Sequence, residues 1–251
     1  MRGKHALKYA LNCDAIRTAP PPFPSSAEIL RGKYVSLAPP DLAGDSVFAE
    51  LFSASHGDAR RESVWGFLPY GKFADARAMA DFYRAAGADG DPMFYVVRNE
   101  NGASGIASYL RIFPDSYSIE IGHIWHSAKT QGGRANTETA FLLMERAFAL
   151  GYRRLEWKCN AMNMKSRRAA LRLGLAFEGV FRQCTASKGK NRDTAWFAVL
   201  DRDWPAVRAN IREWLDAPPQ SFSLAEKNLS QVEWSLPAHE FWSPPATDAK
   251  Q

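Results

Sequence analysis

The sequence predicts a mixed α/β (α+β) domain in which helices cover both faces of one central sheet. Its segments follow the order β-α-α-β-β-β-α-β-α-β-β, which is not a run of βαβ units. An Asn-Gly turn joins two of the strands as a hairpin, so we expect part of the sheet to be antiparallel. No G-x-G-x-x-G follows any strand, and a dinucleotide-binding fold is therefore disfavoured.

The first half of the domain contains three predicted strands and two predicted helices. The strands are Tyr34–Leu37, Met93–Arg98 and Ser104–Phe113, the last two joined by NENGA. The helices lie near Leu42–Ser53 and Ala74–Ala86, on either side of the aromatic loop ESVWGFLPYGKF.

The second half alternates strands and helices and closes with a hairpin. Glycines follow both predicted helices, at the left-handed position that commonly ends a helix. The segments are a strand from Tyr117 to about His126, a helix ending at Leu150 before Gly151, a strand at Leu155–Cys159, a helix at Met164–Leu173 before Gly174, and the strands Ala176–Arg182 and Thr194–Leu200.

Proline-rich ends divide the chain into three parts. Residues 1–30 end in TAPPPFPSSAE and are predicted to be a flexible extension, whereas residues 31–205 form the domain. Residues 206–251 are predicted to be a C-terminal helix and a Pro-rich tail. The tail's aromatic residues could dock on the body; they are Trp234, Phe241 and Trp242.

Composition excludes several classes of protein. With 46% apolar and 24% charged residues the chain is not globally disordered. It has no apolar run of about 18 residues, so no membrane span is expected. The three scattered cysteines and the absence of an apolar leader favour a reducing compartment, and we expect a cytoplasmic protein without a metal site.

Positive charge is concentrated in one segment. Gly151–Arg192 contains eleven Lys or Arg against Glu156 and Glu178, so it carries +9 while the rest of the chain sums to −4 (5 − 9). This indicates an anionic partner, or alternatively a solvated helix face. A nucleic-acid partner is disfavoured because aromatic and basic residues are not interleaved there.

The strand at Tyr117–His126 changes phase at a glycine. Tyr117, Ile119 and Ile121 alternate with polar residues, but after Gly122 the next apolar residue is Ile124. Such a slip predicts a β-bulge that leaves backbone groups free to bind another chain. The alternative is a strand that ends at Gly122.

Two helix starts carry polar residues suited to a ligand. SAKTQGGRANTE places two glycines, Lys129 and Arg134 before a helix capped by Asn136 or Thr137, which is either a phosphate site or a plain turn. In NAMNMKSRRAALRLG, Asn163 is the predicted N-cap with Ser166 three residues on. These two side chains could contact a ligand between the strands, or merely satisfy the first helical turn.

In this order the three features resemble the GNAT superfamily of acyl-CoA-dependent N-acetyltransferases, and its RimJ/RimL-like branch most closely. The resemblance covers about Leu30 to Pro205. It depends most on GYRRLEWKCNAMNMKSRRAALRLGLAFEGVFRQ and GKNRDTAWFAVLDRDWP, with support from LRGKYVSLAP and VWGFLPYGKF. It implies a GNAT-like, mostly antiparallel sheet whose central strands splay apart.

The resemblance implies acetyl-CoA as co-substrate. The pantetheine arm would pair with the bulged backbone at Ile124, Trp125 and His126 and contact Asn163. The pyrophosphate loop departs from the family pattern, because Arg134 and Asn136 stand where small residues are usual. The loop residues implied are Gln131, Gly132, Gly133, Arg134, Ala135, Asn136 and Thr137.

By the same resemblance, Ser166 would be the general acid toward the CoA thiolate. Glu120 is the first choice for the general base, directly or through water, with His123 and His126 as rivals. A backbone N–H near Ile124 could polarise the thioester carbonyl. The acceptor side would be built by Trp65, Phe67 and Tyr70. The alternative is that these aromatic residues belong to the core.

The predicted function is therefore N-acetylation of a primary amine by direct transfer. The acceptor would be a protein N-terminus or a small-molecule amine, and the protein a monomer or homodimer away from any membrane. The alternative is a CoA-binding or protein-interaction module that has kept the fold and lost turnover.

Overall fold

The computed structural model describes residues 18–231 and confirms the predicted fold class. One eight-stranded sheet runs in the order β1-β2-β3-β4-β5-β6-β8-β7. Every neighbouring pair is antiparallel except β5 and β6, which are parallel. The strands are β1 Leu30–Arg31, β2 Ser36–Ala38, β3 Met93–Asn99, β4 Gly102–Phe113, β5 Ser118–His126, β6 Arg154–Asn160, β7 Ala176–Ser187 and β8 Lys190–Leu200.

Eight α-helices accompany the sheet within the described part of the chain. They are α1 Pro40–Ala43, α2 Ser46–Ser55, α3 Ala59–Glu62, α4 Ala76–Ala86, α5 Arg134–Ala149, α6 Met164–Arg172, α7 Trp204–Asp216 and α8 Leu224–Gln231. The first predicted helix is divided in two, because Gly44 adopts a φ of 82° between α1 and α2. The closing hairpin is longer than predicted: its strands are Ala176–Ser187 and Lys190–Leu200, whereas the apolar residues predicted Ala176–Arg182 and Thr194–Leu200.

The sheet separates two apolar cores. On the first face, α5, α6 and α7 pack against strand residues such as Ile119, Ile121 and Trp157. On the second face, α2 and α4 pack against residues that include Phe94 and Trp125. Ile121 and Trp125 belong to different cores although they are four residues apart, so β5 changes phase between them.

The described parts of both predicted appendages contact the domain. In the C-terminal part, Arg208 Nε of α7 lies 2.6 Å from Glu145 Oε2 of α5. Near the other end, Arg146 Nε lies 2.7 Å from Glu28 Oε2, and the Tyr117 hydroxyl donates to the carbonyl of Thr18. The predicted docking residues lie outside the described residues; they are Trp234, Phe241 and Trp242.

The two central strands, β5 and β6, splay apart, as predicted. The parallel ladder between β5 and β6 runs from Ser118–Arg154 to Ile121–Trp157. β5 continues for five residues beyond this ladder and β6 for three, with no further pairing between them in the described chain. A V-shaped gap therefore opens towards the carboxyl ends of both strands.

No helix within residues 18–231 is long and apolar enough to cross a membrane.

Candidate active site

The β5 edge of the gap carries the predicted β-bulge. Trp125 lies opposite Ile106 and Gly122 opposite Ser108, so two residues of β5 face the single residue between them on β4. One of the two, His123, has a left-handed φ of 50°. The phase slip in the sequence is therefore a bulge, and the alternative of a strand ending at Gly122 is wrong. Beyond Ile121 the edge of β5 that faces the gap has no strand partner in the described chain, which leaves backbone groups available for a ligand.

The loop that follows β5 ends at the N-terminus of α5. Gly133, in an extended conformation, is the N-cap, and no side chain caps the helix. The predicted caps, Asn136 and Thr137, lie instead inside the first turn. Gln131 Nε2 donates to the carbonyl of His126 over 3.0 Å and holds the loop against the end of β5. The uncapped first-turn amides and the helix dipole suit an anion.

Arg134 does not point its guanidinium at this loop. Its Nη1 donates to the Tyr34 hydroxyl over 3.0 Å and to the carbonyl of Leu215, and its Nη2 donates to the carbonyl of Ala217. The guanidinium also lies 5.4 Å from the ring centroid of Trp214. The side chain suggested for phosphate binding thus joins α5 to the end of α7 in this structure.

A second arginine lies beside the same helix start. Arg172, at the end of α6, donates from Nη2 to Thr137 Oγ1 over 2.7 Å, and its guanidinium lies 5.4 Å from the Trp214 ring. Burial lowers the pKa of Arg172 from its usual value. No local sequence pattern places Arg172 here, because the contact depends on how α6 packs against α5.

Asn163 and Ser166 stand at the N-terminus of α6, on the β6 side of the gap. Asn163 Oδ1 accepts from the Ser166 N–H over 3.2 Å, so the predicted N-cap is confirmed. Ser166 Oγ accepts a 2.9 Å hydrogen bond from the indole N–H of Trp157. Since the indole can only donate, the Ser166 hydroxyl keeps its own proton for another acceptor.

The second face of the sheet beside the gap carries a buried charge cluster. Glu120 on β5 and Glu156 on β6 are register partners. Lys158 Nζ lies 3.0 Å from Glu120 Oε2 and 2.6 Å from Glu156 Oε2, with only 5% of its side chain exposed. Arg111 and Arg154 complete the cluster, with nitrogens 3.3 Å from Glu120 and 2.7 Å from Glu156 respectively. Alternation in LEWKC could have placed Glu156 and Lys158 on one face, but it could not pair them with Glu120.

The two carboxyl groups have opposite pKa shifts. Burial raises the pKa of Glu120, and the nearby charges of Lys158 and Arg111 only partly oppose it. Burial also acts on Glu156, but hydrogen bonds from Lys158 and Arg154 outweigh it and hold the pKa of that carboxyl below its usual value. Of the two groups, Glu120 is therefore the one that takes up a proton more easily.

Both histidines near the bulge are neutral at pH 7. His123 stacks on Tyr70 with ring centroids 5.4 Å apart, and burial, with Arg111 next, lowers its pKa to about 4. His126 is 3% exposed, and burial likewise lowers its pKa to about 4. Neither ring nitrogen of His126 has a hydrogen-bond partner within the described residues.

The aromatic loop contributes unequally to the second face. Trp65 is 3% exposed and donates its indole N–H to the carbonyl of Ser55 over 3.0 Å, so it is a core residue rather than an open binding surface. Phe67 is 46% exposed, and Tyr70 covers His123. Lys188, at the tip of the β7–β8 hairpin, donates to the Trp65 carbonyl over 2.6 Å and joins the hairpin to this loop.

The sequence and the fold are similar to those of known acetyltransferases. Residues 37–176 match the acetyltransferase (GNAT) domain family. A GCN5-related N-acetyltransferase from Brucella melitensis is 38% identical with a TM-score of 0.77, covering 84% of this chain and 98% of its own. YnaD of Bacillus subtilis, an uncharacterized N-acetyltransferase, is 24% identical over 57% of this chain and 83% of its own length.

A more distant structure shares the fold. RimL, a ribosomal L7/L12 alpha-N-protein acetyltransferase, is 20% identical with a TM-score of 0.59, over 69% of this chain and 94% of its own. The family match spans more than half of the chain, and the parted strands, the bulge and the helix starts all lie within it. This chain belongs to the GNAT acetyltransferase family.

Proposed function

We propose that this protein is an acetyl-CoA-dependent N-acetyltransferase of the RimJ/RimL-like kind, which moves an acetyl group directly to a primary amine. The acceptor is a protein N-terminus or a small-molecule amine. The observation that carries the proposal is the gap between β5 and β6, with Ser166 beside it on the first face and Glu120 on the second. A thioester held in that gap would meet an acid on one side and a base on the other.

Acetyl-CoA would bind along the gap and across the start of α5. The unpaired edge at Ile124, Trp125 and His126 supports pairing with the amides of the pantetheine arm, and Asn163 supplies its side-chain amide nitrogen. The diphosphate would lie on backbone amides at the helix N-terminus, a favourable site for an anion. The residues proposed for this second contact are Gln131, Gly132, Gly133, Arg134 through its backbone, Ala135, Asn136 and Thr137.

In the transfer step the neutral amine attacks the thioester carbonyl carbon, and the carbon–sulfur bond breaks. A backbone N–H at Ile124 or Trp125 would stabilise charge on the carbonyl oxygen. Ser166 donates its hydroxyl proton to the departing sulfur; the Trp157 indole donates to the same oxygen and cannot itself accept that proton. No covalent enzyme intermediate is needed.

Glu120 is proposed to accept the amine's proton, directly or through water. Its raised pKa supports a base closer to neutral pH than an ordinary carboxylate would be. His123 is the rival, but burial lowers its pKa to about 4, and so weak a base gives little driving force for proton transfer. Phe67 and Tyr70 would line the acceptor side, with Trp65 supporting them from the core.

We propose a cytoplasmic monomer or homodimer that needs no metal ion for the transfer. The few scattered cysteines support the compartment. Direct acyl transfer supports the last point, since it needs only a base, an acid and a polarised carbonyl.

Thiol release tests the proposed function. Purified protein with acetyl-CoA and a panel of amines and N-terminal peptides should release CoA with at least one acceptor. We expect Ser166→Ala to lower kcat by about 10- to 100-fold, and Ser166→Thr, which restores a hydroxyl, to recover part of it. Tight CoA binding without thiol release on the whole panel would instead favour a non-catalytic module.

A further inference from the structure

Strand β8 presents a row of unpartnered polar atoms on the second face of the sheet. Arg192, Thr194 and Trp196 alternate along the strand, with Ala195 and Phe197 facing the opposite core. Arg192 Nε, Thr194 Oγ1 and Trp196 Nε1 are each buried without a hydrogen-bond partner in the described chain. Thr194 is only 4% exposed. Buried polar groups are nearly always bonded in folded proteins, so this donor row indicates a ligand.

The donor row runs alongside the proposed reaction centre. The Trp196 ring lies under Lys158, whose Nζ is 3.7 Å from the ring centroid and 3.0 Å from Glu120 Oε2. At the other end of the row, the charge of Arg192 adds to burial and Arg111 in lowering the pKa of His123. The row thus extends from the proposed base towards the bulge.

The chemistry of the row selects its ligand. Arginine and tryptophan nitrogens can only donate hydrogen bonds, and the threonine hydroxyl can do so as well. Three donors in line need a ligand rich in acceptor oxygens. The positive charge of Arg192 favours an oxyanion and opposes a second ammonium group, so a polyamine suits the row poorly.

We propose that the acceptor carries a carboxylate close to its reacting amine and that Arg192 and Thr194, which are neighbours in this row, bind the carboxylate. The inference rests on the proposed function and narrows it to anionic acceptors. Two sources offer the same chemistry: the α-carboxylate of a free amino acid, and an acidic side chain just after a peptide N-terminus.

Matched acceptors separate these sources and test the idea. One pair is an amino acid and its amide, with rates corrected for the fraction of neutral amine. The other is a peptide with Asp or Glu at its second and third positions and the same peptide with Asn or Gln. We expect kcat/KM about 10- to 100-fold higher for the carboxylate member of at least one pair, the size of a charge-assisted hydrogen bond.

Variants of the donor row test whether it causes the preference for the carboxylate acceptor. Arg192→Gln should remove the preference for the carboxylate while leaving the KM for acetyl-CoA unchanged. Arg182→Gln is the matched control, because it removes an equal charge from an exposed position on the neighbouring strand. Thr194→Val should also weaken use of the carboxylate acceptor, yet it should not lower Tm, since its hydroxyl loses no protein partner.

A failure of this inference can be distinguished from a failure of the proposed function. Equal kcat/KM within both acceptor pairs would overturn the inference and leave the proposed function standing. A preference that survives both Arg192→Gln and Thr194→Val would also overturn it, because the carboxylate would then bind elsewhere. Absence of CoA release with every acceptor would overturn the inference and the proposed function together.

Discussion

Glu120→Gln separates a catalytic from a structural role for the buried carboxyl. The substitution keeps the side chain's shape and removes the charge that lies 3.0 Å from Lys158 and 3.3 Å from Arg111. Glu156→Gln is a closely matched control. Glu156 is the register partner of Glu120, belongs to the same cluster and lies 2.6 Å from the same lysine.

The structure sets the expected cost to folding. Leaving one member of a buried ion pair without its partner typically costs about 3–5 kcal/mol. Here Lys158 keeps its second carboxylate in either variant, and the Arg111 side chain is 49% exposed and reaches water. We therefore expect each substitution to lower the free energy of unfolding by only about 1–2 kcal/mol, and by similar amounts.

The rates should differ although the stabilities do not. Loss of a general base typically lowers turnover by about 10²- to 10⁴-fold, so Glu120→Gln should lower kcat by about 100-fold and Glu156→Gln by less than about threefold. Thiol release measured against pH adds a second signature. In the wild type the rate should rise as Glu120 ionises at its raised pKa, and this step should be missing in Glu120→Gln.

Two results would refute this reasoning. If both variants lost the same activity at matched stability, the cluster would support the fold of the site and Glu120 would have no separate role. If Glu120→Gln kept both its rate and the acidic limb of its pH profile, the base would be another group, with His123 the first to test.

Two further predictions concern stability. Arg134→Ala should lower Tm by several degrees while changing the KM for acetyl-CoA by less than about twofold, because the guanidinium binds α7 carbonyls; a large rise in that KM would contradict the assignment. Urea unfolding at pH 7.5 and pH 5 should show a loss of stability at the lower pH. His123 and His126 have folded pKa values of about 4 against 6.5 unfolded, so the unfolded chain binds more protons between these values and stability falls as pH drops from 6.5 towards 4. His126→Gln should reduce that loss, and an unreduced pH dependence would exclude His126 as a source.

Local patterns in the sequence predicted the features that define the gap. The phase slip after Gly122 is visible because apolar residues alternate along a strand, and a bulge must break that alternation. The N-cap at Asn163 follows from its spacing to Ser166, which the backbone hydrogen bond between them confirms. Both features depend on residues within a few positions of each other.

Features that depend on distant parts of the chain were not predictable in this way. Arg134 stands in a glycine-rich loop before a helix, where an arginine often binds phosphate. Its actual partners at Leu215 and Ala217 are some eighty positions away, at the end of a helix whose packing no local pattern specifies. The sequence leaves the place of Trp65, in the core or in a binding surface, open for the same reason. Only its burial and its hydrogen bond to Ser55 show that it belongs to the core.

The parallel pairing of β5 and β6 explains why the proposed acid and phosphate sites meet at one gap. Parallel strands end at the same edge of a sheet, so the loops that leave β5 and β6 begin side by side. The helices that follow, α5 and α6, therefore start at this edge, and the positive ends of both helix dipoles lie near the gap. One end would face the diphosphate of the proposed co-substrate, and the other, at Ser166, would face the thiolate that forms as the bond breaks. An antiparallel pair would have placed the two helix starts at opposite edges, and a single extended co-substrate could not then lie across both.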